Sequence, residues 1–338
     1  MATPAERGLR IPAESAPHDR CLMAWPTMRR VDFWRGHLGA ARDCYAIVAR
    51  AINELEPVLM IADIGEGLAA EQWMRGEVEV IELPIDDSWI RDSGPVFVLD
   101  EVGGRAAVDF GFNGWGDRHG PWHRDAAVGE ALCAHLGIER IEAPFVLEGS
   151  AFAVDGAGTL VAIESNVLDR ARNPGLTRPE VEANLRDHLG VERIIWLAGG
   201  LRHDVYGDVG NVLSFIEPGR VLLQSTADER DPDRELANEN ARILADHGIE
   251  SVLIDVLPHD DVFDEDHRIP YVNIYRANGA VFVPLMGAAA DRTTLAQIEE
   301  AHPGLAVVGV PGRVLAYGGG GIRCITAPVP SASGPPAI

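Results

Sequence analysis

The sequence predicts a single α/β domain built from about five successive units of strand, strand, helix and strand. Strand-like and helix-like hydrophobic patterns alternate through most of the 338 residues, and no Pro/Ser-rich linker interrupts them. Because 46% of the residues are hydrophobic, the chain has enough apolar material for one large core. We expect residues 11–327 to form this domain, between a flexible N-terminus at 1–10 and a flexible tail at 328–338.

The helices are predicted from apolar residues at helical spacing, and residues 39–55 are the clearest case, since Ala41, Cys44, Val48 and Ile52 share one face. The other predicted helices cover 124–136, 178–189, 233–247 and 291–301. Short apolar runs predict strands, at 57–62, 78–83, 95–99, 106–110, 138–141, 159–163, 193–197, 211–216, 220–224, 251–254, 271–276, 280–284, 305–310 and 313–317.

The charge balance narrows the classes of partner. Lys and Arg number 29 against 52 Asp and Glu, a formal net charge of −23, which disfavours nucleic acid and anionic membranes and is compatible with a cationic ligand. No apolar run approaches the roughly 18 residues of a membrane span. The first residues also lack the apolar stretch of a signal peptide, so we expect a cytoplasmic protein. A homo-oligomer is compatible with the sequence.

The four cysteines are scattered along the chain, at Cys21, Cys44, Cys133 and Cys324, with no Cys-x-x-Cys pair. This spacing indicates neither a disulfide framework nor a metal cluster. No His, Cys and Asp group has metal-ligand spacing, so we expect neither a metal nor a cofactor.

Cys324 lies in an unusual stretch, residues 317–326, which read YGGGGIRCIT. Four consecutive glycines cannot form the interior of a regular helix or strand, and they allow the backbone to approach another group closely. A thiol beside such a turn is a candidate nucleophile, because the turn can expose the sulfur and direct N–H groups at an anion. On residue type alone, a small buried cysteine is the commoner explanation. The residues after it, Ile325 and Thr326, indicate that a strand begins there.

Three polar loops follow predicted strands. Residues 86–95 (DDSWIRDSGP) combine three carboxylates, an arginine and a tryptophan, which is typical either of a capped turn or of a site for a cation. Residues 146–150 (VLEGS) end an apolar run with Glu148, although a lone glutamate at a strand end is more often solvated. Residues 203–211 (HDVYGDVGN) place a histidine beside an aspartate, which alone is weak support for a site.

Taken together, these motifs resemble the agmatine deiminases and bacterial peptidylarginine deiminases, which are guanidino-group-modifying enzymes of the pentein fold. The resemblance covers almost the whole chain. It rests on IPAE and PH at 11–14 and 17–18, MAWP at 23–26, WIRDSGP at 89–95, FNGWG at 112–116, EG at 148–149, RNP at 172–174, YVN at 271–273 and GGGGIRCIT at 318–326.

The resemblance implies a five-bladed αβ propeller with pseudo-fivefold symmetry and a central site, where a cysteine attacks a guanidinium carbon to form a thiouronium intermediate. Cys324 matches the nucleophile. Asp92 and Glu148 match the acids that face the guanidinium, and Trp89 matches an aromatic residue that contacts the substrate. From the same motifs we expect Asn211 and Gly321 to contact a small cationic guanidino substrate.

The sequence also departs from this family. Asp208 stands where the family carries its acid/base histidine, and Gly210 stands where it carries an aspartate that binds the guanidinium. If 208–210 is extended, residues 208 and 210 share a face, and the carboxylate has moved about 6–7 Å along it. Arg323 replaces a frequent histidine, Ser15 a tryptophan and Ser150 a glycine.

These replacements leave two roles open for Asp208: it either binds the substrate cation, which we favour, or carries protons. His203, His259 or His267 could supply an imidazole instead. Three functions remain: a cysteine amidinohydrolase whose substrate is not ordinary agmatine, an amidinotransferase or other C–N hydrolase of the same fold, and an inactive binding protein that retains the pocket. Retention of Cys324 and its glycine loop argues against the last.

Overall fold

The computed structural model describes residues 2–332 except 203, 205 and 264, and only the backbone of 259–261, 265 and 266. The described chain contains these strands and α-helices in order: β1 (His18–Ala24), α1 (Leu38–Asn53), β2 (Val58–Ala62), α2 (Gly67–Trp73), β3 (Glu79–Glu82), α3 (Ile90–Ser93), β4 (Val96–Leu99), β5 (Arg105–Gly111), α4 (Gly114–Asp117), α5 (Val128–Leu136), β6 (Glu139–Val146), β7 (Phe152–Val154), β8 (Thr159–Ile163), α6 (Glu164–Val167), α7 (Arg178–Leu189), β9 (Arg193–Leu197), β10 (Leu213–Glu217), β11 (Arg220–Gln224), α8 (Pro232–Asp246), β12 (Glu250–Ile254), β13 (His259–Val262), β14 (Glu265–Arg268), β15 (Tyr275–Ala277), β16 (Ala280–Leu285), α9 (Ala289–Ala301), β17 (Ala306–Pro311), α10 (Arg313–Tyr317) and β18 (Ala327–Pro330).

Within the described residues, five sheets share one pattern. Their strand orders are β18-β1-β2-β3, β4-β5-β6, β7-β8-β9, β10-β11-β12 and β15-β16-β17. In each sheet the first pair is antiparallel and the next pair is parallel. A helix joins each parallel pair, as parallel strands require a crossover connection. The strands β13 and β14 form a separate hairpin. The predicted α/β class is therefore confirmed.

Burial explains why the inner strands read as continuous apolar runs in the sequence. All five residues of β2 and all five of β8 are buried. The helix α1 buries one face, including Ala41, Cys44, Val48 and Ile52, against this core. Strands covered on both faces lose the alternation of apolar and polar residues, and this is what the sequence shows.

The segments that precede the first strand of each sheet carry the candidate site residues. Asp92 comes before β4, Glu148 before β7, Asp208 before β10, Asn273 before β15 and Cys324 before β18. Five equivalent positions in five similar sheets therefore supply the polar groups discussed below.

Two predicted strands are wrong. Residues 313–317 form the helix α10, in which the Ala316 N–H donates to the Gly312 carbonyl over 3.0 Å. A five-residue apolar run cannot distinguish a buried strand from a buried helical turn. Residues 271–274 are irregular, with a tight turn from Val272 to Ile274, and only 275–277 are extended. That turn directs Asn273 toward Cys324.

The predicted flexible ends are also wrong in part, because much of both segments is packed. Leu9 is buried, and Arg10 forms a two-hydrogen-bond bridge with Leu99. At the other end, β18 runs to Pro330 and pairs with β1. The domain boundaries at 11 and 327 therefore cut through packed structure. No helix in the described part of the chain is both long and apolar enough to cross a bilayer.

Candidate active site

Cys324, Asp208, Asp92 and Trp89, all predicted site residues, line one cavity. The rest of its wall consists mainly of aromatic rings and glycine backbone: Phe33, Asp87, Trp115, His119, Tyr206, Gly318, Gly319 and Gly320. A concave site with an aromatic wall, three carboxylates and one thiol suits a small cation.

The Cys324 thiol is buried, in a single 3-10 turn that follows the glycine loop. The Asn273 amide nitrogen donates to Sγ over 3.4 Å, and the thiol donates to Asp208 Oδ2 over 3.9 Å. Burial, followed by the charges of Asp208 and Asp92, raises the pKa of Cys324. The Asn273 contact and the Gly321 N–H act in the opposite direction. These effects favour the protonated thiol over the thiolate.

The glycine loop is needed for close packing against Trp89. A Cβ on Gly318 would lie 2.8 Å from the Trp89 ring, and a Cβ on Gly320 would lie 2.7 Å from the same ring. Gly319 adopts a φ of +89° and faces the ring of Tyr206. These contacts leave no room for side chains at 318 and 320, so the glycines shape the cavity wall beside the thiol.

Asp92 is directed into the cavity by an unusual turn. The Trp115 indole nitrogen donates to Asp92 Oδ2 over 3.0 Å. Trp115 itself adopts φ 58° and ψ 44°, a left-handed conformation that is unfavourable for a bulky residue and often marks functional sites. The other oxygen, Asp92 Oδ1, is buried and makes no hydrogen bond of good geometry in the described structure, although Ser150 lies beside the carboxylate. A buried acceptor left in this state is poised for an N–H donor from a ligand.

Asp208 is held between Cys324 and Ser150. The Ser150 hydroxyl donates to Asp208 Oδ1 over 2.8 Å, and the Asp208 N–H donates to Asp204 Oδ2 over 2.8 Å. Residues 209–211 form a 3-10 turn. The expectation that 208–210 is extended, with residues 208 and 210 on one face, is therefore wrong. Ser150 therefore supplies the hydroxyl that holds this carboxylate.

The carboxylates in this region perturb one another. Burial and, to a smaller extent, the charge of Glu148 raise the pKa of Asp92 to about 6, against the opposing effect of hydrogen bonds from Ser150 and Trp115. Burial, then Asp204 and Asp92, raises the pKa of Asp208 well above its ordinary value. Like charges in a desolvated site disfavour ionisation. A cation bound beside these carboxylates would favour their ionised forms.

Three predicted residues are near this cavity but do not line it in the described structure. Glu148 accepts from Arg172 Nε over 2.8 and 3.0 Å, and both side chains are buried. Asn211 donates to Asp204 and accepts from Asn273. Gly321 lies against the Asn273 side chain, where an added Cβ would be 2.3 Å from it. Glu148 contributes charge to the site, while Asn211 and Gly321 support the residues around the thiol.

The side chain of Arg323 packs against the backbone of Gly210. A Cβ on Gly210 would lie 3.1 Å from Arg323 Cδ and 3.3 Å from Nη1. Arg323 donates to Glu14 through Nε and Nη2, and Nη2 also donates to the Phe152 carbonyl. Two of the departures from the family pattern are therefore spatially coupled: the arginine occupies the space in which a side chain at 210 would begin.

The structure adds four residues to which we assigned no role from the sequence. Asn273 contacts the thiol, Trp115 orients Asp92, and His119 and Tyr206 line the cavity. Asn273 and Trp115 fall within motifs that carried the family resemblance, which was a usable signal. Tyr206 falls within the polar loop 203–211, whereas His119 carried no signal.

The predicted sources of an imidazole are not seen at the thiol. His203 lies outside the described residues, and so does the side chain of His259. His267 lines a neighbouring cavity rather than that of Cys324. Among the described residues, no group of three or more His, Cys, Asp and Glu side chains could hold a metal ion.

A cysteine beside buried carboxylates and an aromatic wall, in this fold, defines a hydrolase that acts on C–N bonds of linear amidines through a cysteine nucleophile. Comparison with known proteins identifies the family. The model of the Porphyromonas-type peptidyl-arginine deiminases matches residues 10–330, and the chain belongs to this family.

Individual relatives agree with this assignment. The agmatine deiminase of Stutzerimonas stutzeri is 37% identical over 361 residues, covering 98% of each chain. The agmatine deiminase of Pseudomonas aeruginosa strain LESB58 is 37% identical over 364 residues, again with 98% of each chain covered. The solved agmatine deiminase of Enterococcus faecalis superposes with a TM-score of 0.93 at 30% identity, covering 98% of this chain and 99% of that one.

Proposed function

We propose that this protein hydrolyses a small cationic guanidino compound in the Cys324 cavity, with a substrate preference that differs from that of the agmatine deiminases. The observation that carries the proposal is the placement of Asp92 and Asp208, two buried carboxylates without a paired cation in the described residues, on the wall that also holds the thiol. A guanidinium supplies N–H donors, positive charge and a planar carbon, so it satisfies the carboxylates and presents an electrophile to sulfur.

The contact between Asp208 and the thiol supports a role for Asp208 in proton transfer. When the cation binds, its charge favours ionisation of Asp92 and Asp208. Asp208 then takes the thiol proton as sulfur bonds to the guanidinium carbon, and it returns that proton to the departing nitrogen, which leaves as ammonia. The C–N bond breaks and a thiouronium forms on Cys324. The 3.9 Å contact between the thiol and Asp208 Oδ2 favours this role over the cation binding predicted from the sequence.

The departures at positions 210 and 323 support an altered substrate. Gly210 offers no carboxylate, and Arg323 brings a positive charge to the space beside it. A guanidinium in the Cys324 cavity would find one acceptor fewer, and the charge of Arg323 does not replace it, because Arg323 is paired with Glu14. A substrate with fewer N–H groups to satisfy, or with a different substituent, fits better than agmatine.

We also propose the five-bladed propeller. Its support is the shared pattern of five sheets in the described chain and the position of Asp92, Glu148, Asp208, Asn273 and Cys324 before equivalent strands. In a ring of such units these segments would meet at the axis.

The remaining expectations concern location and partners. A net charge of −23 supports the absence of nucleic-acid partners. Four free cysteines support a reducing, cytoplasmic location. Exposed apolar side chains at Met28, Ile64, Leu68 and Trp73 support a homo-oligomer.

The decisive experiment incubates the protein with a panel of guanidino compounds and follows ammonia release and protein mass. We expect at least one compound to give both ammonia and a covalent adduct. Cys324→Ala should abolish turnover, a loss on the order of 10⁶-fold for removal of a nucleophile, and should form no adduct. Cys133→Ala, a change at another buried thiol, is the matched control and should retain turnover. Ammonia release by the Cys324→Ala protein would overturn the proposal.

A further inference from the structure

The second half of the proposed reaction requires a proton acceptor in addition to Asp208. In the first half, the thiol proton passes to the departing ammonia, and no proton is left over. In the second half, water adds to the thiouronium carbon and the C–S bond breaks, giving a urea-type product and a thiol. One proton of the water returns to sulfur through Asp208. The other must leave the cavity, because the product nitrogen keeps the two hydrogens it already carried.

His119 and Tyr206 are placed to accept this proton. Both line the cavity that contains Cys324, and His119 is the one imidazole on its wall within the described residues. The His119 ring is half-buried, and its Nε2 is hydrogen-bonded to the Tyr206 hydroxyl. Phe33 and Trp115 pack edge-on against the imidazole and fix its plane. The pair therefore joins the cavity to the exterior.

We propose that the Tyr206–His119 pair removes the proton of the hydrolytic water and passes it to solvent. The Tyr206 hydroxyl gives its proton to His119 Nε2 as it takes one from the water, whose oxygen bonds to the thiouronium carbon. His119 then releases the proton through its exposed side. This inference depends on the proposed function, since it concerns the fate of the covalent adduct.

The charges around the pair suit this direction of transfer. Burial, then Arg30 and Arg118, lowers the pKa of His119, so that the imidazole is neutral and able to accept a proton. Burial and the negative charges of Asp208, Asp204 and Asp87 raise the pKa of Tyr206 to about 12, so it keeps a proton to donate. Asp92 faces the pair through the Trp115 indole.

The test separates the two halves of the reaction by rapid mixing. The protein is mixed with the guanidino compound that gives an adduct in the wild type, and ammonia and intact mass are followed. His119→Gln should release the first equivalent of ammonia at the wild-type rate, then accumulate the adduct, with kcat lower by about 10²–10⁴-fold. Tyr206→Phe should behave in the same way. Added imidazole should partly restore turnover to His119→Ala.

His123→Gln is the matched control, because His123 is exposed, stacks on Trp122 and does not line the cavity. It should keep wild-type kinetics. Wild-type turnover by His119→Gln would overturn the inference, and so would an equal loss in the first ammonia release and in kcat. A wild type that forms no adduct with any compound would instead overturn the proposed function.

Discussion

Two regions of the molecule bury carboxylates in different electrostatic environments. Glu14 lies beside two arginines, whereas Asp92 and Asp208 lie beside other carboxylates. Burial alone would raise the pKa of Glu14, yet Arg323 and Arg91 outweigh it and lower the value to about 2. No cation is paired with Asp92 or Asp208 among the described residues, and burial raises both of their pKa values. Glu14 is thus a completed ion pair, whereas the other two await a positive charge.

The presence or absence of a paired arginine distinguishes the structural carboxylate, Glu14, from the functional carboxylates, Asp92 and Asp208. Both regions are rich in charge, so charge or burial alone cannot distinguish them. What distinguishes them is whether the protein itself supplies the counter-ion. Evolution has little reason to leave two carboxylates unpaired at a cost in stability unless a ligand supplies the missing cation.

The strongest test of this comparison exchanges each carboxylate for its amide. Asp208→Asn should lower kcat by about 10²–10⁴-fold, because the thiol loses its proton acceptor. The free energy of unfolding should stay the same or rise, because repulsion with Asp92 and Asp204 is relieved. Glu14→Gln should do the reverse: it should lower the free energy of unfolding by about 3 kcal/mol, because two buried arginines lose their counter-ion.

The expected loss of stability in Glu14→Gln lies at the low end of the range for buried ion pairs, because the Glu14 side chain keeps 21% of its exposure. Urea titration and steady-state kinetics of both variants measure the two effects. If Glu14→Gln instead lost turnover while its stability stayed unchanged, Glu14 would be a functional residue, and the structural role assigned to it would be wrong.

A second experiment asks whether the site can be returned to the family pattern. Asp208→His with Gly210→Asp should not gain agmatine hydrolysis, because the new carboxylate would begin 3.3 Å from Arg323 Nη1 and would pair with it. Adding Arg323→His frees that carboxylate for the substrate, and the triple variant should hydrolyse agmatine at least tenfold faster than the double variant. Ammonia release measures this gain.

Folding must be checked in the same variants, because Arg323 also holds Glu14. Circular dichroism and urea titration provide this control, with Arg323→His alone as the matched background. Equal agmatine hydrolysis by a folded double variant and a folded triple variant would show that Arg323 does not decide the specificity.

The sequence predicted the fold class and the central residues of the site more successfully than the contacts between residues that are distant in the chain. Cys324, Asp92 and Trp89 lie in dense local motifs, so a short window of residues was sufficient. The contact of Arg323 with Gly210, and that of Ser150 with Asp208, join positions 113 and 58 residues apart in the numbering. Such pairs become visible only when separate segments are folded against one another.

The pairing of Tyr206 with His119 was missed for the same reason: Tyr206 lies in the polar loop 203–211, but His119 is 87 residues away and stands in no recognisable motif. The helix at 313–317 was missed because five apolar residues satisfy both helical and strand periodicity. Both features depend on contacts between distant parts of the chain, and a short stretch of sequence carries no information about such contacts.

The smallest expected effect is a dependence on pH that differs between the two regions. Asp92 has an ordinary pKa of 3.8 and a folded value of about 6, so the folded protein binds the extra proton between these values. Its contribution to stability is therefore present below pH 3.8 and is lost as the pH rises toward 6. Glu14 goes from 4.5 to about 2, so its contribution is present above pH 4.5 and is lost as the pH falls toward 2.

Substrate binding should reveal the same titration of Asp92. A cationic guanidinium needs the ionised carboxylate, so kcat/KM should rise with pH through about 6, by at most tenfold for each unit below it. In Asp92→Asn that rise should disappear together with most of the affinity, and the loss of unfolding free energy between pH 4 and 6 should become smaller. Glu14→Gln should keep the rise in kcat/KM and should instead lose the decline in stability below pH 4.5. A wild-type kcat/KM that is constant between pH 5 and 7 would mean that Asp92 is already ionised in the free protein. The contrast between Glu14 and Asp92 would then be wrong.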